Sequence, residues 1–311
     1  MNNQATTFAC CAFQFLFIED TYWDCLEDPA MTEANRSFTL YLYFINLYFT
    51  KMNTQSPLLI NAGRVMFALG LIGLASLGFM TNDFIVGRPP AWPADFGGKE
   101  AFSLVLNVLL VAGCVAIIFQ RQGAFAALMT AAIIFTFSFL IRYIPAIVKA
   151  DPKEILWNIN AYKTLALIGG SLIVGISFLR TNSPGSGKIF LVIGTIFLSL
   201  FFIMSGLAHF KFANFIIDGL MPSYIPFHPF WTYFCGIALI AGGIGIQIYP
   251  LRKIAAMLVG IMIAGWFLLL HIPRFFANVN DPSDQMGVCE SFAFAGIMFV
   301  LHGLFKAKKE S

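Results

Sequence analysis

Five residues in the last third of the sequence have the types and positions of a polar site at the edge of a membrane: His209, Tyr224, His271, Arg274 and Glu290. Four of them lie close to the end of an apolar run, where ionisable side chains are costly and usually pair or face a cavity, and Tyr224 lies in the Pro-rich connection 210–229. One interpretation is an outward-facing pocket for a small polar ligand, a quinone head group or a metal ion. The other is a set of hydrogen bonds and salt bridges that fix helix ends. No two histidines are four residues apart, so no metal site is predicted.

Aromatic residues accompany the same regions: Trp92, Trp157, Trp231 and Tyr233. Tryptophan and tyrosine are typical of the belt at the membrane–water interface, which is the favoured interpretation. A stacking wall for a flat ligand is the alternative. Arg64 lies about one turn inside the first apolar run and is expected to extend its guanidinium to the lipid head groups. No residue is assigned a catalytic role.

The composition excludes most other kinds of protein. Of the 311 residues, 59% are apolar or aromatic and only 11% are charged, whereas soluble domains have about 25% charged residues. The mean hydropathy is +0.78. A soluble chain with so few polar residues could not cover its core, which excludes a soluble enzyme and a disordered chain. The net charge of +3 is too small to indicate a nucleic acid as partner. The expected surrounding is the lipid bilayer.

Eight apolar runs are long enough to cross a bilayer, which takes about 20 residues. They show no polar–apolar alternation, so helices rather than barrel strands are expected. The sequence therefore predicts an all-α polytopic membrane protein. The predicted spans are 58–80, 102–119, 124–141, 162–179, 189–209, 230–248, 254–270 and 290–305.

The connections between these runs alternate in charge. The short connections and the C-terminus carry eight basic residues and one acidic residue, Glu310. The long connections with the adjoining helix starts carry eight basic and nine acidic residues. The positive-inside rule therefore places both termini in the cytoplasm. The expected location is a cell membrane, with the bacterial inner membrane favoured. The short connections are 120–123, 180–188 and 249–253, and the long ones are 81–101, 142–161, 210–229 and 271–289.

Residues 1–51 differ from the rest of the chain. They carry six acidic and two basic residues, and their apolar runs, 8–18 and 38–50, are too short to span a membrane. This extension is expected to be poorly structured, with Met52 as the true start of the protein. An interfacial helix at 38–50 is the alternative.

The two halves of the remaining sequence resemble each other. Pro90-Ala91-Trp92 matches Pro222-Ser223-Tyr224, and Ile144-Pro145 matches Ile272-Pro273, in the same order. Each half has four spans, so both enter the membrane in the same direction as a parallel repeat. The predicted organisation is a first four-helix unit at 52–180, a cytoplasmic linker at 181–188 and a second unit at 189–311.

A pair of opposite charges follows from this repeat. Lys163 lies near the start of the fourth span, and Glu290 is predicted to open the eighth. The two side chains would approach each other if the units meet about a pseudo-twofold axis. A buried pair of this kind is weak evidence for stability, because desolvation offsets much of the attraction.

Three motifs of the second unit carry a resemblance to a known family. They are Gly206-Leu207-Ala208-His209-Phe210, then Met221-Pro222-Ser223-Tyr224-Ile225-Pro226, then His271-Ile272-Pro273-Arg274. In this order they resemble the DoxX-like family of four-helix membrane proteins. The first unit departs from the pattern, since Gly78 stands in place of His209 and Tyr143 in place of His271.

The resemblance implies a fold more firmly than an activity. The family includes a small subunit associated with thiosulfate:quinone oxidoreductase, proteins linked to methylamine utilisation, and membrane chaperones or cargo receptors. The first hypothesis is an accessory or binding component with no catalysis of its own, no cofactor, and a redox enzyme or other membrane protein as its partner. The alternative is a quinone-linked redox subunit, for which quinone is the cofactor. A small-molecule transporter ranks third, because the mid-membrane sequence lacks paired Gly or Pro breaks and acidic residues.

Overall fold

The computed structural model describes residues 57–179 and 185–305, and the statements below concern those residues. The predictions about the extension 1–51, the start at Met52 and the interfacial helix fall outside them. Half of the predicted linker, 181–184, also falls outside. The remaining linker residues, 185–188, form the first turn of the fifth helix.

All regular structure in the described ranges is helical, and eight segments are long and apolar enough to cross a membrane. The predicted all-α polytopic membrane fold is confirmed. In chain order, the first to eighth spans are Leu58–Thr81, Lys99–Ile118, Gly123–Lys149, Ile159–Ile176, Gly187–Lys211, His228–Gln247, Arg252–Ala277 and Pro282–Leu304. Two short elements lie between spans, the helix Pro152–Leu156 and the π-helical turn Phe215–Leu220.

The third and seventh spans each change helix type near one end. The third runs as Gly123–Ile133, a π-helix Ile134–Tyr143 and a final helix Ile144–Lys149. The seventh runs as Arg252–Trp266, a π-helix Phe267–His271 and a final helix Ile272–Ala277. In both, the proline at the second position of the last segment would break a regular α-helix. The wider π-helical turn lets the helix continue past it, so the predicted ends at 141 and 270 were wrong.

The eighth span begins earlier than predicted, at Pro282 rather than at residue 290. The Asp281 carboxylate caps it by accepting hydrogen bonds from the backbone N–H groups of Ser283 and Asp284, at 2.8 and 2.9 Å. Its first two turns are polar and therefore gave no hydropathy signal. Glu290 consequently lies well inside the helix and does not open it. The fourth connection is correspondingly short, at 278–281.

The fourth and eighth spans form the centre of the helix bundle. Of the residues in their apolar windows, 72% are buried, against 28–50% for the other spans. Spans that follow one another along the chain are in contact, the eighth also contacts the first, and the fourth also contacts the eighth.

Glycines allow two of these helix pairs to approach closely. A Cβ added to Gly63 in the first span would lie 2.5 Å from the carbonyl oxygen of Gly296 in the eighth. A Cβ added to Gly194 in the fifth span would lie 2.7 Å from the carbonyl oxygen of Gly169 in the fourth. Both distances are below van der Waals contact, so a larger residue would push the helices apart.

Candidate functional site

Four charged or polar residues meet where the fourth and eighth spans lie side by side: Arg88, Lys163, His271 and Glu290, called the seam cluster below. It lies on the long-loop face, the side of the bundle that holds the connections 82–98, 150–158, 212–227 and 278–281. Glu290 is its most buried member, with 3% of the residue exposed.

Two cations share the Glu290 carboxylate. Lys163 Nζ lies 2.8 Å from Glu290 Oε2. Arg88 donates through Nε to Oε1 at 3.1 Å and through Nη2 to Oε2 at 3.0 Å. The sequence predicted that Lys163 and Glu290 would approach each other, and the structure brings them into direct contact. The second cation, Arg88, was not foreseen.

Arg88 reaches this position because the first long connection folds over the end of the fourth span. Gly87 and Arg88 have left-handed backbone angles, with φ of 81° and 51°. The Tyr143 hydroxyl donates to the carbonyl oxygens of Gly87 and Arg88 at 3.1 and 2.7 Å, and the Thr164 hydroxyl donates to Gly87 at 2.9 Å. Arg88 also donates to the Ser283 carbonyl oxygen at 3.1 Å. Hydrogen bonds therefore hold both the backbone at Gly87 and Arg88 and the Arg88 guanidinium.

His271 completes the cluster at the end of the π-helical turn of the seventh span. Its ring lies against Gly287, where an added Cβ would come within 2.9 Å of Nδ1. Gly287 lies one turn before Glu290 on the eighth span, so the His271 ring packs beside the cluster. Neither ring nitrogen has a hydrogen-bond partner among the described residues, so His271 keeps one donor and one acceptor available.

Arg274, another predicted pocket residue, is held in an ion pair of its own. Its Nε lies 2.7 Å from Asp284 Oδ1. Its Nη1 donates to the carbonyl oxygens of Gly219 and Leu220 at 3.2 and 2.9 Å. This arrangement ties the seventh span, the eighth span and the third long connection together, as in the helix-end interpretation.

His209 and Tyr224 form no hydrogen bond or ion pair with the seam cluster in the described ranges. His209 Nδ1 lies 2.8 Å from the carbonyl oxygen of Ser205, one turn back on its own helix. The Tyr224 hydroxyl donates to the carbonyl oxygen of Leu269. The five predicted residues thus do not share direct polar contacts as one pocket, and only His271 and Glu290 belong to the cluster.

A second polar centre, which sequence reasoning missed, lies where the first long connection meets the third span. The Arg142 guanidinium, with 4% of the residue exposed, lies 3.1 Å from Asp83 Oδ1 and donates to the Phe84 carbonyl oxygen at 2.6 Å. The Trp92 indole N–H donates to the same Asp83 oxygen at 2.6 Å, and its ring lies 4.9 Å from the Arg142 guanidinium carbon. Trp92 therefore stabilises the first long connection.

The other predicted interface aromatics pack mainly on neighbouring rings. Trp157 lies edge-on to Phe212 at 6.0 Å, and Trp231 lies edge-on to Trp266 at 5.8 Å. Tyr233 is 43% exposed. The belt and the stacking wall both stay predictions.

Arg64 was wrongly expected to reach the lipid head groups. Only 7% of the residue is exposed, and its Nε donates to Ser177 Oγ at 2.8 Å. Its guanidinium carbon lies 3.6 Å from the centre of the Phe178 ring. Arg64 also donates to the Ser177 carbonyl oxygen. Carbonyl groups at a helix C-terminus lack partners within the helix, so this arginine caps the fourth span.

An open cavity of about 680 Å³ lies beside Asp83 and Trp92, under the first long connection. The side chains of Phe96, Lys99 and Glu100 also line the cavity. Within the described ranges, no group of three or more His, Cys, Asp or Glu side chains is placed to hold a metal ion.

The chain matches no family model, no curated protein and no solved structure.

Proposed function

We propose that this multi-pass membrane protein is a binding or accessory component without catalysis of its own, and that the seam cluster is its ligand site. The observation that carries the proposal is the single Glu290 carboxylate shared by two cations. Arg88 Nη1, two of the Lys163 protons and the His271 ring have no acceptor or donor partner among the described residues. The side chains of Arg88 and Lys163 are 21% and 16% exposed, so these donors are accessible to a ligand with acceptor atoms.

The bonding of Glu290 argues for binding rather than catalysis. A general base needs a carboxylate that is free to accept a proton from the substrate. Both Glu290 oxygens already accept hydrogen bonds from cations, Oε1 from Arg88 and Oε2 from Arg88 and Lys163. The carboxylate therefore holds the two cations in place and leaves recognition to their remaining donors.

Tyr143 supports assigning the accessible histidine of the site to the second unit. It occupies the position that matches His271 in the first. The Tyr143 hydroxyl is engaged by the carbonyl groups of Gly87 and Arg88, whereas the His271 ring has no partner in the described ranges. Of these two matched positions, only the one in the second unit keeps polar atoms available.

A quinone-linked redox subunit is the second candidate. His271 and Lys163 both offer hydrogen-bond donors at the membrane edge, and the carbonyl oxygens of a quinone head group are acceptors. Transport is not favoured. Lys163 lies in the second turn of a helix that begins at Ile159, and Glu290 lies in the third turn of one that begins at Pro282, so the cluster lies toward the long-loop face rather than halfway along these helices.

The proposal includes the tandem organisation and the DoxX-like resemblance. Three geometric equivalences support a pseudo-twofold relation between the units. Gly63 and Gly194 differ by 131 positions (194 − 63), and their partners Gly296 and Gly169 differ by 127 (296 − 169), so the two close glycine contacts correspond. Lys163 and Glu290 are also 127 positions apart and meet each other directly. The π-helical turns before the two Ile-Pro pairs are a third correspondence.

Native mass spectrometry of the full chain, purified in mild detergent, tests the proposal. We expect a bound small molecule or protein partner on the wild type that is lost from His271→Ala. The matched control is Lys153→Gln, a change at an exposed residue on the same face, which should keep it. A wild type without any adduct or partner would contradict the proposal, as would an adduct that His271→Ala retains.

A further inference from the structure

We infer that the ligand of the seam cluster is an oxyanion, a carboxylate or phosphate group, held by Arg88 and Lys163. The inference rests on the proposed function and adds the charge and the chemical class of the ligand. It starts from the charge balance of the cluster.

The seam cluster holds two cations and one carboxylate, so one positive charge has no counter-charge within the described ranges. Arg88 and Lys163 face one carboxylate, Glu290. Arg274, which lies three residues after His271, pairs with Asp284 at 2.7 Å, so Asp284 does not neutralise the cluster. An uncompensated charge among apolar helices is costly, and a bound anion removes that cost.

The start of the fourth span adds to the positive potential. The neutral side chain of Asn158 caps this helix by accepting a hydrogen bond from the Ala161 N–H at 3.2 Å. The eighth span is instead capped by the carboxylate of Asp281. The positive end of the fourth helix therefore keeps its attraction for an anion near Lys163.

The positions of the donors suit a group with several oxygens. Arg88 Nη2 and Lys163 Nζ lie 3.0 and 2.8 Å from the same Glu290 oxygen, so the two cationic groups are close neighbours. Both remain partly accessible, with 21% and 16% of their side chains exposed, against 4% for Glu290. One carboxylate or phosphate group could contact both cations at once, with Arg88 Nη1 as an additional donor.

The oxyanion could belong to a soluble molecule or to an acidic lipid head group, because the recognising chemistry is the same. The test therefore has two arms. In the first, thermal unfolding of the full chain in non-ionic detergent is followed as sodium phosphate or sodium acetate replaces sodium chloride at constant ionic strength. In the second, unfolding is compared in nanodiscs of phosphatidylcholine alone and with phosphatidylglycerol.

We expect the unfolding temperature of the wild type to rise in one of the two arms. A rise with phosphate or acetate indicates that the ligand is a soluble anion. A rise only with phosphatidylglycerol indicates that it is a lipid head group. Arg88→Gln should weaken the apparent affinity by about tenfold or more, as expected for loss of a charged hydrogen-bond donor. Arg88→Lys keeps the charge and should retain most of the effect, which separates lost binding from lost folding. Lys153→Gln should respond as the wild type does.

A wild type whose unfolding temperature is the same in all arms would overturn the inference, and so would an equal response of Arg88→Gln. Failure of the proposed function looks different. If native mass spectrometry finds an uncharged ligand that His271→Ala removes, the binding function stands and only the anionic class fails.

Discussion

Glu290 lies between two cations from different parts of the chain. We expect its charge to contribute more to the free energy of unfolding than the charge of Arg88 or Lys163. Glu290→Gln leaves Lys163 and Arg88 facing each other without a counter-charge. Lys163→Gln leaves the balanced pair of Arg88 and Glu290. Loss of one member of a buried ion pair typically costs about 3–5 kcal/mol when a charge is left unpaired.

We therefore expect the order of destabilisation to be Glu290→Gln, then Lys163→Gln/Glu290→Gln, then Lys163→Gln. Unfolding by sodium dodecyl sulfate in mixed micelles, followed by tryptophan fluorescence, gives the free energies of the three variants. Single-variant losses that simply add up in the double variant would contradict the idea that the two charges interact.

Arg142 is expected to control the order of the first long connection. Arg142→Gln removes the ion pair with Asp83 and the hydrogen bond to the Phe84 carbonyl oxygen. Local opening of the connection 82–98 should become easier, and chymotrypsin should cleave it after Phe84 or Phe96 about tenfold faster, which corresponds to about 1.4 kcal/mol of local stability. Mass spectrometry of the fragments measures the rate. Arg121→Gln, at an exposed residue between the second and third spans, is the matched control and should leave the cleavage rate unchanged.

Sequence reasoning found the residues of the seam cluster that interrupt apolar runs. Lys163, His271 and Glu290 stand out because an ionisable group in a span needs a reason. Arg88 and Asp83 lie in a connection where charged residues are ordinary, so nothing in their surroundings marked them. Only the fold of that connection over the fourth span brings Arg88 to a carboxylate 202 positions away.

At the level of helices, the contact between the first and eighth spans depends on small residues. Gly63→Ala or Gly296→Ala would place a Cβ 2.5 Å from a carbonyl oxygen of the facing helix. Overpacking of this kind typically costs about 1–3 kcal/mol. The unfolding temperature in detergent should fall for both variants.

Gly265→Ala is the control for those glycine variants, because no atom lies within 4 Å of an added Cβ there. Alanine is favoured over glycine inside a helix by about 0.5–1 kcal/mol. The control should therefore be neutral or slightly stabilising. A loss equal to that of Gly63→Ala would show that close helix packing is not the cause.

Hydropathy predicted the number and type of the helices but missed particular ends. Pro145 and Pro273 are strong signals for a helix end, yet a π-helical turn before each lets the helix run on to Lys149 and Ala277. The predicted eighth span was too short because the first turn of the helix is polar. Hydrogen bonds to the Asp281 carboxylate stabilise that turn. Sequence rules describe regular α-helices in lipid, and these ends depend on irregular hydrogen bonding.

At the level of the whole molecule, the charge alternation of the connections predicts the orientation in the membrane. A fluorescent reporter fused after Ser311 should be fluorescent, because the C-terminus is expected in the cytoplasm. A phosphatase reporter that is active only outside the cytoplasm should be active when inserted at Gly97. That position lies in an exposed part of the first long connection, with no atom within 4 Å of an added Cβ. The opposite pattern would overturn the orientation.

The sequence did not predict how the first four spans pack against the last four. Matching motifs suggested two units and an axis, and that axis led to the pairing of Lys163 with Glu290. Nothing in the sequence indicated that the first span packs on the eighth more extensively than on its neighbour along the chain. Such contacts join residues far apart in sequence and depend on complementary shapes, such as that of Gly63 with Gly296.

The opposite charges of Lys163 and Glu290 also affect which halves can pair when two copies of the chain meet. If the second half of one chain met the second half of another across the same contact, Glu290 would face Glu290. Two first halves would place Lys163 against Lys163. Both pairings bury like charges, whereas the pairing within one chain brings the opposite charges to 2.8 Å. If the halves are repeats, opposite charges at positions 163 and 290 would favour the pairing within one chain over exchange of halves between chains.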